Sequence, residues 1–441
     1  MAIAETTEPL SAAGTRDHVA AGAVIAAHSL QHAYGHAFFV ILPVIYTSLG
    51  LSPIAVGLLG TVRMLAGGAA VVIGGVLIDR LQHRRLLILY ISLITMGLSY
   101  LMVGLAPTYG LILIALVLAS ISGSIWHPTA RGLLSQIYPR RRGFVISLDR
   151  SVGSIGDTVG PLVAGALLVV VAWQRIFLGA LPLALAFALL IWIALRRAYT
   201  WQELGARKRG ESRPLKEQFR ELADLFRTNG RSLLTLLLVA GLSGLGQGGL
   251  ILWIPLYLQE TQGMGTVGIG AHLALLTAAG IATGPLLGLV SDRMGRIPII
   301  LMVLGAKAVL AALMAAFGSG ILLTVLVAGM GAFMFGINPL IQAWALDIAE
   351  GRKLEGTMLG MLWGNNAVFR GGGPLVVGFV VASLGFGALF WYVAAMNTFA
   401  LLVVAVLIPA IAHGSRPNPR DAGPERLSPS RSKEVSDDET A

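Results

Sequence analysis

The chain has 441 residues, 56% of them hydrophobic and only 12% charged, with no cysteine and a formal net charge of +10. A soluble domain carries about 25% charged residues, so a water-facing protein is excluded. The missing cysteine removes disulfides, thiolate nucleophiles and Cys-based metal sites. The apolar excess calls for a lipid environment, an all-α integral membrane protein.

Residues 1–18 are polar and contain no apolar core of a secretory signal. A bilayer core of about 30 Å needs roughly 20 apolar residues in a helix, and windows of that size predict twelve spans. They fall near 19–47, 53–78, 86–106, 110–137, 143–172, 175–197, 232–260, 266–290, 298–318, 320–348, 355–382 and 385–412. Basic residues collect in alternate connections: Arg80 to Arg85, Arg140 to Arg142, 196–231, Asp292 to Arg296 and Glu350 to Glu355. The positive-inside rule puts these loops and both termini in the cytoplasm. The positive charge is then an orientation signal, and no nucleic-acid partner is expected.

The stretch 198–231 links two six-helix halves, 19–197 and 232–412. Leu215, Phe219, Leu222 and Phe226 within it have the spacing of an amphipathic helix on the membrane surface. The tail 413–441, rich in Pro, Ser and charge, is expected to be disordered.

The halves repeat one another at an offset of 211–213 residues. Gly75 to Arg80 aligns with Gly288 to Arg293, Pro43 with Pro255, Gly160-Pro161 with Gly373-Pro374, and His127-Pro128 with Asn338-Pro339. Internal repeats of this kind mark secondary transporters. The loop Gly288, Asp292, Arg293, Gly295, Arg296 resembles the G-x-x-x-D-R-x-G-R signature of the major facilitator superfamily. The first copy, with Asp79 and Arg80, departs from it at Gln82. The helix 5 run Gly153 to Pro161 is similar to the superfamily's glycine-proline motif, common in its antiporters. The passage from Gly123 through His127-Pro128 to Gly160-Pro161 resembles the fosmidomycin-resistance-like branch, as do His28 and Gln31. An acidic residue of that branch is replaced here by His32. The resemblance implies two pseudo-symmetric six-helix bundles that rock about a central site, with helices 1, 4, 7 and 10 lining it. It also implies a monomer in the inner membrane.

A charge at mid-bilayer costs at least about 2.5–3.5 kcal/mol, so ionisable residues there need a cavity or a partner. Asp157 and Arg370 are equivalent under the repeat, and a salt bridge between the halves is expected. It would be either a proton-operated gate or a fixed structural pair. Arg63, Arg131, Arg150 and Arg370 outnumber the buried carboxylates, which points to an anionic substrate; capping and pairing with Asp149 is the other reading of Arg131 and Arg150. His28, His32 and His36 step by four along helix 1. They would relay protons or line a polar cavity; a metal ion is not expected, for want of a carboxylate or Cys nearby.

Gln247, Trp253, Asn338, Gln342, Trp363 and Asn366 are the substrate-orienting candidates that the resemblance implies, beside His28, Gln31 and His127. Asp79, Arg80, Asp292, Arg293 and Arg296 are expected to form gating pairs, and Lys307 to snorkel from a peripheral helix. No enzyme motif, cofactor or nucleotide-binding domain is evident. The expected function is proton-coupled export of a small anionic drug or metabolite, such as a phosphonate; the alternative is uptake of an organic anion or organophosphate by symport or exchange. Expected partners are that substrate, protons and the lipid bilayer.

Overall fold

The computed structural model describes residues 14–81, 84–198, 215–349 and 354–414. Within them the chain is helical, without a strand. The first half contains α1 (Thr15–Ser48), α2 (Pro53–Arg80), α3 (Arg85–Leu105), α4 (Tyr109–Ile137), α5 (Arg142–Leu167), α6 (Trp173–Leu178) and α7 (Ala180–Ala198). The second contains α8 (Leu215–Glu260), α9 (Thr266–Met294), α10 (Arg296–Phe317), α11 (Gly320–Met334), α12 (Ile337–Ala349), α13 (Glu355–Leu384) and α14 (Ala388–Gly414).

These elements make the twelve expected spans, with three local differences. The sixth span is split at Gly179 into α6 and α7, and the tenth at Phe335–Gly336 into α11 and α12. The linker helix runs directly into the seventh span as α8, bent at Asn229, whose φ of −124° and ψ of 24° are not helical. The tail beyond Gly414 and most of the linker before Leu215 lie outside the described residues.

Ten of the spans are long and apolar enough to cross a membrane on composition alone. The two that are not, α1 and α5, pack on each other. His28 and His32 of α1 and Asp149 and Asp157 of α5 meet across that contact. Large apolar side chains such as Ile91, Ile114, Leu189, Val309, Val325, Phe379 and Val406 are instead exposed on the outside, where lipid would cover them.

The glycines of α5 make the α1–α5 approach possible. A methyl group at Gly160 would lie 2.7 Å from the Cα of Ala33 and also strike its carbonyl; one at Gly156 would meet Ser29 and His32. Small residues let membrane helices close to backbone contact in this way.

The halves meet through α2 with α13, α5 with α9, and α1 with α8. Gly57 packs on the backbone of Pro374, and Gly165 on that of Thr266. Thr61 Oγ1 accepts a bond from the Leu375 amide at 3.1 Å, Thr266 Oγ1 donates to the Gly165 carbonyl at 3.0 Å, and the Thr158 and Thr277 hydroxyls lie 3.1 Å apart. All these contacts fall from mid-depth to the face opposite the termini. These contacts close the described structure on the face opposite the termini.

Candidate functional site

The three α1 histidines lie along the face covered by α5, and the two helices run parallel. His28 Nδ1 donates to Asp149 Oδ1 at 2.7 Å, with both side chains 1% exposed. One turn on, His32 Nδ1 and His36 Nδ1 each reach Asp157 Oδ1 at 2.6 Å. Gly153, midway between the two aspartates, gives the rings room: a Cβ there would lie 3.2 Å from His28 and 3.4 Å from His32. α4 adds His127, whose Nδ1 is 3.1 Å from His28 Nε2; His32 Nε2 is 3.0 Å from the same atom. Asp149, the four histidines and Asp157 therefore form one continuous polar chain.

That chain borders a cavity of about 270 Å³ between the halves. Gln31, His32 and His36 of α1, Arg63 of α2, His127 of α4 and Arg370 of α13 contribute its polar wall, with no carboxylate among the described lining residues. The Arg63 guanidinium donates to the Gly35 carbonyl at 3.3 Å and stands 4.9 Å and 5.3 Å from the rings of Phe38 and Phe39. These contacts aim it without neutralising it. Gln31 is 7% exposed, and neither of its amide atoms has a partner among the described residues. Arg370 likewise has no described ion-pair or hydrogen-bond partner.

The expected Asp157–Arg370 salt bridge is not formed. Asp157 is taken by His32 and His36, which reach it from the neighbouring helix of its own half. Arg131 does not line the cavity; its Nε stands 4.0 Å from Asp149, the capping alternative for this residue. Arg150 is exposed and outside the lining, within electrostatic reach of His127 and Arg370. The premise that α1 has no carboxylate nearby is also overturned, since α5 supplies two.

The candidates from the second half are placed elsewhere. Trp253 is fully buried and donates to the Pro374 carbonyl at 2.9 Å, so it braces the closed end. Asn338 Nδ2 reaches Gln247 Oε1 at 3.4 Å; Gln342 and Asn366 are half-buried and Trp363 is exposed. None of these residues lines the cavity in this state. Arg296 binds Asp292, Ser291 and, at 3.3 Å, Asp347, all within one half; Arg293 is exposed. The side chains of Asp79 and Arg80 lie outside the described residues. Lys307 does not snorkel: it is 1% exposed and donates to Ser243 at 2.8 Å.

Asp149 is the residue that sequence reasoning undervalued. It sits four residues before Gly153 on the glycine face of α5, which is the signal that would have directed it at α1.

A family model described as Major Facilitator Superfamily matches residues 24–370. A probable 4-methylmuconolactone transporter of Cupriavidus pinatubonensis is 28% identical over 60% of this chain, which spans 60% of that relative's length. A probable sulfoacetate transporter of Cupriavidus necator is 24% identical, covering 78% of this chain and 82% of its own. Among solved structures, a bacterial homolog of the human lysosomal transporter Spinster, inward-facing and unoccupied, superposes with a TM-score of 0.68 at 17% identity over 90% of this chain and 96% of its own. The narrower likeness to the fosmidomycin-resistance-like branch gains no support from these relatives.

Proposed function

The chain belongs to the Major Facilitator Superfamily of membrane transporters, and we propose that it is a proton-coupled exporter of small organic anions. The observation that carries the reading is the cavity wall: among the described residues it has two arginines, three histidines, no carboxylate, and a buried amide without a partner. An unpaired guanidinium in a low-dielectric cavity attracts a carboxylate, sulfonate or phosphonate through charge-assisted hydrogen bonds. The names of the two Cupriavidus relatives, each a small organic acid or its lactone, agree with that class.

Proton coupling rests on Asp157. Its carboxylate holds His32 and His36 at the cavity edge, so a proton arriving there changes the charge beside Arg370 and Arg63 without leaving the site. An anion bound on the arginines and a proton on the histidine–aspartate pair then respond to one another through the same few ångströms. Export is favoured over uptake by the glycine-proline run of α5. With basic loops inside, both termini face the cytoplasm, the closed face lies on the other side of the inner membrane, and the unit is a monomer.

The test is flux into proteoliposomes with an imposed pH gradient, offering sulfoacetate, a muconolactone and a phosphonate. Anion movement driven against its gradient by protons, and lost in Asp157→Asn and Arg370→Gln, supports the reading. Anion movement that ignores pH removes the proton; movement of cationic or neutral drugs alone removes the anion. An anion that accumulates with the proton rather than against it reverses the direction to symport.

A further inference from the structure

We propose that His28, His32 and His127 form a binding site for one divalent transition-metal ion at the wall of the cavity. Three ring nitrogens converge there: His28 Nε2 lies 3.0 Å from His32 Nε2 and 3.1 Å from His127 Nδ1, and the three stand within 4.8 Å of one another. Zinc takes imidazole nitrogen at about 2.0–2.1 Å in tetrahedral geometry, which sets ligand nitrogens about 3.3 Å apart. The two separations from His28 differ from that by a few tenths of an ångström, and the His32 and His127 nitrogens, within 4.8 Å of each other, close on the ion by ring rotation.

Hydrogen-bond bookkeeping favours a cation over a proton network at this point. His28 Nδ1 faces a carboxylate acceptor, so it carries the hydrogen, and neutral His28 then has one lone pair at Nε2. Two other ring nitrogens crowd that single lone pair. A metal ion between them accepts all three lone pairs at once.

Two of the three rings already make the outer contact a metal site requires. Metal-ligating histidines donate their other ring N–H to a carboxylate or carbonyl, which fixes the tautomer and raises the ring's basicity. Asp149 does this for His28 at 2.7 Å and Asp157 does it for His32 at 2.6 Å. Three neutral nitrogens with two anionic supports suit a borderline ion such as Zn²⁺ or Co²⁺.

Three protein ligands leave a fourth position. His32 and His127 both line the cavity, so that position faces it, next to the unpartnered amide of Gln31. A water or an anionic oxygen in the cavity completes the coordination, and Gln31 hydrogen-bonds it. The other convergent set, His32, His36 and Asp157, is less suited: both of its histidines already direct Nδ1 at one carboxylate oxygen. A metal there would have to displace both hydrogens.

The site is tested on tag-free, chelator-treated protein in detergent, titrated with Co²⁺ and followed by visible absorption, with Zn²⁺ as competitor. No gradient or substrate is needed, so failure leaves the transport reading untouched. The expected result is one Co²⁺ per chain with the absorption of a four-coordinate ion, displaced by Zn²⁺. Binding should weaken at least tenfold in His127→Ala and His28→Gln and persist in His36→Gln. Each variant's thermal unfolding is recorded alongside, and should His28→Gln not fold, His127→Ala decides, since it lies outside the α1–α5 contact. Absence of saturable binding in the native protein overturns the proposal. So does undiminished binding in His127→Ala, or equal loss in His36→Gln.

Discussion

Replacing Gly160 by alanine puts a methyl group against backbone. The nearest atoms are the carbonyl oxygen, Cα and carbonyl carbon of Ala33, the last two at 2.7 Å and 2.8 Å. Ordinary carbon contacts begin near 3.4 Å, so α1 must retreat about 0.7 Å from the Cα and further from the oxygen. No rotamer change can absorb this, because every atom involved belongs to a helix backbone. Overpacking of this kind costs about 1–3 kcal/mol, against a gain of about 0.5–1 kcal/mol for alanine over glycine in a helix. Gly143, in the first turn of α5, has open space where the methyl group would go, with nothing within 4 Å, and serves as the control without a clash. With roughly 2–4 °C per kcal/mol for a unit of this size, Gly160→Ala should melt several degrees below Gly143→Ala in a detergent thermal unfolding assay. The displacement also stretches the 2.6 Å contacts to Asp157, so proton-driven flux should fall more than stability does. Equal melting temperatures for the two variants would refute the close α1–α5 packing.

Four further outcomes are expected. Lys307→Met should leave the melting temperature unchanged or raise it, because a buried amine is exchanged for an apolar chain of similar length; Ser243→Ala should destabilise the protein by about 1–3 kcal/mol, stripping that amine of its described acceptor. Trp253→Phe should cost about 0.5–1.5 kcal/mol by removing the bond that the indole donates to the Pro374 carbonyl, and should raise labelling of the cavity from the face opposite the termini. The absence of cysteine makes single-cysteine reporters clean: Ser124→Cys, in the cavity wall, should react with an impermeant maleimide from the face that bears the termini. Reaction from the opposite face alone would contradict the closed end described above.

Much of the architecture was legible before any coordinates. Hydrocarbon offers the backbone no water, so each crossing must be a helix of about 20 apolar residues, and composition, window and loop charge sufficed for twelve spans. The repeat offset sufficed for two halves. The breaks at Gly179, Asn229 and Gly336 were not legible, because a single glycine or asparagine in a helical run is equally compatible with a straight helix.

Site chemistry divides in the same way. The types and depths of His28, His32, His36, Asp157, Arg63 and Arg370 could be read from the sequence, since a charged or polar side chain in an apolar span is conspicuous whatever it touches. Which of them meet could not. Pseudo-symmetry suggested Asp157 with Arg370, yet the glycines of α5 bring α1 to backbone contact, and two histidines reach the carboxylate before the opposite half can. Partner choice over a few ångströms is set by helix approach and rotation, and periodicity constrains neither. The same fact brought Asp149 under His28, and turned a row of histidines spaced by four into a convergent cluster.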